Sequence, residues 1–95
     1  MSRPCRRRRI RGRPNCHYFK PQGVPMRLIN ESRLSLAEFE AIRLVDYLQV
    51  SQEQACVQMD ISQPTLSRIL KNARSKISNA IINGEAISIE KTDNK

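Results

Sequence analysis

Apolar residues recur every three or four positions in three stretches of the chain, a spacing that predicts one buried face of an α-helix. Ser35-Leu36-Ala37-Glu38, at the start of the first stretch, has the form of a capping box. We therefore predict a supporting helix over residues 36–48. Its apolar face comprises Phe39, Ala41, Ile42, Leu44, Val45 and Leu48.

The second predicted helix is short, and a tight turn follows it. Ser51 begins another capping pattern before an apolar stripe, so we predict a helix over residues 52–59. Only Asp60, Ile61 and Ser62 separate this helix from the next helical pattern.

The third predicted helix has the longest regular pattern in the chain. It covers residues 63–82, with Ser62 as its cap, Pro64 in its first turn and Gly84 as a left-handed end. Its apolar seam comprises Leu66, Ile69, Leu70, Ala73, Ile77, Ala80 and Ile81.

Residues 86–90 alternate between apolar and polar side chains, as a half-buried β-strand does. A single strand is not stable alone, so it needs a partner. The candidates are residues 18–20, residues 26–29, or the same strand in a second copy of the chain. This last alternative, together with the apolar Ile81-Ile82 pair, makes a homodimer a candidate assembly.

These elements predict a mainly α fold with three main helices and a short C-terminal strand. We expect one small domain over residues 18–90, a basic and flexible N-terminal arm over residues 1–17, and a polar tail over residues 91–95. No stretch approaches the roughly 18 apolar residues of a membrane span. We therefore expect a cytoplasmic protein with no membrane partner.

The formal net charge of +8 comes from the first twenty residues. Eight of the 17 cations and none of the nine acids lie there, so the other nine cations balance the acids. Such a block of like charge is attracted to polyanions, and nucleic acid is the favoured partner. A solubilising tail, ribosomal RNA and an anionic membrane surface are the alternatives for this block.

The third helix is also distinguished by charge, because residues 61–84 contain no acid. The preceding helices carry Glu38, Glu40, Asp46 and Glu53, and Asp60 follows them. Since these acids would repel phosphate, we expect the earlier helices to face away from a DNA duplex along much of their surface.

The second and third helices have the spacing of a helix-turn-helix. This motif has a small residue in its first helix, a left-handed turn residue four positions later, and apolar positions that wedge the helices together. Cys56, Asp60, Ile61, Leu66 and Ile69 occupy these places. Cysteine is small, and aspartate adopts the left-handed conformation more readily than most residues.

The outward face of the third helix carries side chains that suit DNA. We predict that Gln63, Thr65 and Arg68 contact base edges, since glutamine can bridge adenine and arginine can bridge guanine. Contacts to the phosphate backbone are predicted for Ser62, Ser67, Lys71, Arg74, Arg6, Arg7, Arg8 and Arg9.

The sequence resembles two known groups. Residues 51–77 look like the fourth region of bacterial sigma factors, which binds promoter DNA through a helix-turn-helix. Residues 14–90 resemble the uncharacterised protein family 0251, a set of small prokaryotic predicted DNA-binding proteins. The second resemblance rests on Tyr18-Phe19-Lys20-Pro21, Gly23-Val24-Pro25, Glu40-Ala41-Ile42-Arg43-Leu44, Asp46, Asn83-Gly84 and the final strand. It implies a sigma-region-4-like fold, with Cys56 and Asp60 standing where alanine and glycine are usual.

Cys5, Cys16 and His17 are the one candidate set for metal binding or redox sensing. They lack the two-residue cysteine spacing of a zinc knuckle, so we predict no metal and no cofactor. The single histidine has no nucleophile or carboxylate arrangement around it, and we predict that the protein is not an enzyme. We expect sequence-specific binding of double-stranded DNA by a small transcriptional regulator. The alternatives are RNA binding through the arm and docking on RNA polymerase.

Overall fold

The computed structural model describes residues 9–91, in which three α-helices and three short strands are joined by turns and loops. Helical residues predominate, which confirms the predicted mainly α class with a short C-terminal strand. The elements are β1 (Tyr18–Phe19), β2 (Glu31–Leu34), α1 (Leu36–Ala41), α2 (Gln52–Met59), α3 (Gln63–Asn83) and β3 (Ala86–Ile89).

The supporting helix begins regularly and then widens. The Ser35 hydroxyl oxygen accepts a hydrogen bond from the Glu38 N–H at 3.1 Å, and the Ser35 N–H donates to the Glu38 carboxylate at 2.9 Å, which confirms the capping box. After α1 the chain continues as π-helical turns over Ile42–Tyr47, where the Leu48 N–H donates to the Arg43 carbonyl five residues back. The wider turns shift the phase of the helix. Leu48, expected on the apolar face, is consequently 48% exposed.

Three residues connect α2 to α3 in the tight turn that the sequence predicts. Asp60 ends α2 in the left-handed conformation, with φ 60° and ψ 48°. The Ile61 N–H then donates to the Cys56 carbonyl at 3.0 Å. Ser62 caps α3, because its hydroxyl oxygen accepts from the Thr65 N–H at 3.3 Å. These bonds fix the start of α3 against the end of α2.

The strand β3 lies at the centre of a sheet with the order β1-β3-β2. It pairs antiparallel with β1, as one of the predicted partners, and parallel with β2, which the sequence pattern did not indicate. Residues 26–29 are not a partner, since Met26–Leu28 form a 3₁₀ turn after Pro25. Because β3 has a neighbour on each side, it does not require a second copy of the chain.

The core consists of two clusters that meet along α3. One lies between the supporting helix, α2 and α3, and its fully buried members include Leu44, Met59 and Leu66. The other lies between α3 and the sheet and contains Leu34, Ala73 and Ile89. The seam of α3 ends at Ala80. Ile81, predicted to belong to the seam, is 70% exposed, and its neighbour Ile82 is 80% exposed.

None of the helices within residues 9–91 has the length and apolar character needed to cross a lipid bilayer.

Candidate nucleic-acid interface

The predicted base-contact residues lie in the first two turns of α3. Gln63 and Arg68 are exposed, whereas Thr65 is half-buried and its hydroxyl oxygen accepts a hydrogen bond from the Ser62 hydroxyl at 2.9 Å. Thr65 is therefore partly engaged in capping the helix. The methyl group, the hydroxyl proton and the second lone pair of the hydroxyl oxygen remain available to contact a base edge.

Arg68 and Lys71 project from the side of α3 that is opposite the core. The helical period of 3.6 residues separates them from the buried Leu66 and Ala73 by about half a turn. Both side chains are exposed, and neither has an ion-pair partner within residues 9–91. Their charges are thus available to an external anion.

The beginning of α3 is open to an anionic partner. Ser62, Gln63 and Ser67 are exposed, and the first turn of the helix contains no acidic residue. Because backbone N–H groups point outward at a helix N-terminus, this end of α3 favours negative charge.

Arg74, a predicted phosphate contact, is paired within the protein. Its Nη2 and Nε atoms lie 2.7 and 3.1 Å from the two carboxylate oxygens of Asp46. Hydrogen bonding to Asp46 holds the pKa of the Arg74 guanidinium above its ordinary value. A contact between Arg74 and a phosphate would require the guanidinium to leave this partner. Both side chains are substantially exposed, so the exchange would uncover no buried charge.

Three backbone N–H groups within residues 9–12 of the arm donate hydrogen bonds to the helical body. The Arg9 N–H donates to the carbonyl of Met59, the last residue of α2, at 2.9 Å. The N–H groups of Arg11 and Gly12 donate to the two carboxylate oxygens of Glu40, each at 3.1 Å. Residues 9–12 of the predicted arm are therefore attached to the helical body by backbone hydrogen bonds. Arg6, Arg7 and Arg8 lie outside the described residues.

The sequence did not predict that Glu40 would contact the basic arm. Glu40 is only 1% exposed, and besides the two arm amides it binds Arg43, whose Nε and Nη2 atoms each donate at 2.9 Å. Burial by itself raises the pKa of Glu40. The opposite effect is larger and comes from the charge of Arg43 and from the hydrogen bonds that Arg43, Arg11 and Gly12 donate. The pKa of Glu40 therefore lies below its ordinary value. The sequence contained one indication of this ion pair, because Glu40 and Arg43 are three residues apart on a predicted helix and such residues are neighbours on its surface.

Of the candidate metal residues, Cys16 and His17 lie in the described part of the chain. Cys16 is exposed and its thiol donates to the Tyr18 carbonyl at 3.1 Å, while the carbonyl of the neighbouring His17 accepts from the Ile89 N–H. Among residues 9–91 no group of three His, Cys, Asp or Glu side chains is arranged to hold a metal ion. Cys5 lies outside this range.

Comparison with known proteins places the chain in a family. A family model described as protein of unknown function DUF134 matches residues 1–95. The chain belongs to this family. A UPF0251 protein of Dehalococcoides mccartyi is 47% identical over 90 residues, which cover 95% of the chain and 77% of the relative. A UPF0251 protein of Halothermothrix orenii is 45% identical over 95 residues, covering 100% and 70% respectively. No solved structure matches the chain.

Membership of DUF134 confirms the resemblance to family 0251. In this DUF134 chain the stretch that carried part of the resemblance, Glu40-Ala41-Ile42-Arg43-Leu44, contains both residues of the ion pair that holds the arm. The stretch is therefore more than part of a helix, because it connects the basic segment to the helical body.

Proposed function

We propose that the protein binds double-stranded DNA in a sequence-specific manner and acts as a small transcriptional regulator in the prokaryotic cytoplasm. The observation that carries the proposal is the exposed first half of α3. There Gln63, Arg68 and Lys71 project from a helix whose other side is held by two buried clusters. A rigid helix with an open polar face is what reading base edges requires.

The dimensions and chemistry of α3 suit the major groove of DNA. An α-helix with its side chains is about 10–12 Å across, and the major groove is about 12 Å wide. Arg68 has the guanidinium that can bind guanine through two hydrogen bonds, and Gln63 has the amide that can bind adenine. Lys71, farther along the same helix, suits a phosphate contact.

The test is selection of bound sequences from random duplex DNA at physiological salt, followed by affinity measurements with Arg68→Ala. We expect the variant to lose about 1–3 kcal/mol of binding free energy on the selected sequence and to discriminate less at one base position. Arg27→Ala is the matched control, because Arg27 is an exposed arginine that belongs to the 3₁₀ turn Met26–Leu28 and not to α3. Equal effects of the two substitutions would contradict base reading by Arg68.

The same assay separates DNA binding from the alternatives. A protein that used only its basic arm would bind structured RNA as tightly as duplex DNA, and would keep that affinity in Arg68→Ala. A module that docks on RNA polymerase would select no sequence from the random pool.

A further inference from the structure

We infer that Glu40 is a positioning residue, which fastens the basic arm beside the turn between α2 and α3 so that the arm cations and α3 bind one DNA duplex. This inference rests on the proposed function. It adds that the arm and α3 form a single surface, whereas charge along the sequence shows only that the arm is basic.

The anchor holds the arm through its backbone and leaves its arginines outside. Glu40 uses both carboxylate oxygens for the N–H groups of Arg11 and Gly12, so no arm side chain is needed for the attachment. Burial alternates along this segment. The arginines at positions 9, 11 and 13 are exposed, and the residue after each of them, Ile10, Gly12 and Pro14, is half-buried. Glu40 thus holds a row of three outward-facing guanidinium groups.

Gly12 permits the close approach of the arm to the helix. The Arg43 side chain, which binds Glu40, also lies directly against the Cα atom of Gly12, and a Cβ atom at this position would overlap it. A larger residue would have to displace either the Arg43 guanidinium from Glu40 or the arm from the carboxylate. Glycine at position 12 therefore leaves room for the Arg43 side chain and the arm to reach Glu40 together, and the reason is contact rather than backbone conformation.

The place where the arm is held is next to the candidate DNA-reading helix. Arg9 is bonded to the carbonyl of Met59, which immediately precedes the turn residue Asp60. A basic arm in this position can follow the backbone or enter the minor groove beside the major groove that α3 would occupy.

An anchored arm binds DNA more tightly than a free one. Ordering a single backbone residue has a free-energy cost that corresponds to about a tenfold change in a binding constant. Because Glu40 orders residues 11 and 12 before DNA is present, loss of the anchor should weaken binding by at least roughly tenfold.

The experiment compares Glu40→Gln in two full-length backgrounds, the natural chain and a chain with serine at the six arginine positions 6–9, 11 and 13. In the natural background we expect faster amide hydrogen exchange at Arg11 and Gly12 without DNA, and binding to a selected duplex at fixed salt that is weaker by at least roughly tenfold. In the serine background we expect no change in DNA affinity, because the cations that Glu40 positions are absent.

Two further variants separate positioning from folding. Glu38→Gln is the matched control: Glu38 is also buried on α1 and paired with a cation, Lys76 at 2.9 Å, but it does not bind the arm. It should leave exchange at Arg11 and Gly12 unchanged. Gly12→Ala lies outside the helical core and should reproduce the effects of Glu40→Gln if the latter does not fold.

Each outcome bears on one claim. Unchanged exchange at Arg11 and Gly12 overturns the anchor, and equal losses of affinity in both backgrounds overturn its role in placing the arm. Failure of the natural chain to bind any duplex DNA overturns the proposed function and with it this use of the anchor. The exchange measurement, which needs no DNA, still decides whether Glu40 holds the arm.

Discussion

Replacing Asp60 by glycine should both stabilise the protein and strengthen DNA binding. Asp60 has φ 60° and ψ 48° at the end of α2, and it is exposed. A residue with a Cβ atom pays about 1–2 kcal/mol in this left-handed conformation, with aspartate at the lower end. Glycine removes this cost but loses about 0.5–1 kcal/mol to the greater freedom of its unfolded chain. We therefore expect a net stabilisation of up to about 0.5 kcal/mol.

The stability change is measurable by thermal unfolding. For a domain of this size, about 0.5 kcal/mol corresponds to a rise in Tm of roughly 2–4 °C. The matched control is Gln49→Gly, because Gln49 has a similar φ of 63° but lies at the end of the supporting helix. Gln49→Gly should relieve a similar backbone strain. It also removes the hydrogen bond that the Gln49 side chain donates to the Asp46 carbonyl at 2.7 Å, so its gain in stability should be smaller.

The DNA-binding change follows from charge rather than from the backbone. Asp60 lies two residues before Ser62, the cap of α3, so we expect its negative charge to repel a phosphate that approaches this helix end. Asp60→Asn removes the charge and keeps a side chain that tolerates the left-handed conformation, so it should improve affinity without raising Tm. The gain should shrink as salt is added, since screening shortens the range of charge interactions. A fall in Tm for Asp60→Gly, or unaltered affinity for both variants, would refute the reasoning.

Two further predictions concern the arm and its anchor. Serine at the six arm arginine positions should make the slope of log Kd against log salt shallower by about 0.9 for each phosphate that the arm no longer neutralises. Titrations at several salt concentrations measure this slope. An unchanged slope would mean that the arm does not touch DNA. Because the pKa of Glu40 is lower in the folded protein than its ordinary value of 4.5, Glu40 stabilises the fold above that pH and loses this contribution as pH falls through the folded pKa. Urea unfolding between about pH 3 and pH 7 should therefore show a smaller acid loss in Glu40→Gln, and parallel profiles would contradict the assignment.

Local side-chain chemistry was sufficient to predict the helix ends. Ser35, Ser51 and Ser62 each accept a backbone hydrogen bond at the start of a helix, and Asp60 and Gly84 each end one in the left-handed conformation. Such caps depend on residues within four positions of one another, so the sequence contains all the information needed.

The sheet and the widened helix could not be predicted in the same way. The strand β2 contains two charged residues in four and pairs with β3 across more than fifty positions, so its stability comes from a neighbour that local pattern does not show. The π-helical turns over Ile42–Tyr47 likewise contradict an apolar spacing that fits a regular helix as far as Leu48. In both cases tertiary packing decides between alternatives that local propensity leaves close in energy.

The acids on the supporting helix show why charge counted along a sequence is an incomplete guide to an interface. We expected Glu38 and Glu40 to repel phosphate and to turn their helix away from DNA. Both are buried, Glu38 against Lys76 and Glu40 against Arg43 and two arm amides, so neither presents a free negative charge at the surface. The expectation of repulsion therefore does not hold for these residues. Since Glu40 draws a basic segment toward the helix, an acid that appears unfavourable for DNA binding in the sequence can increase the positive charge beside the turn.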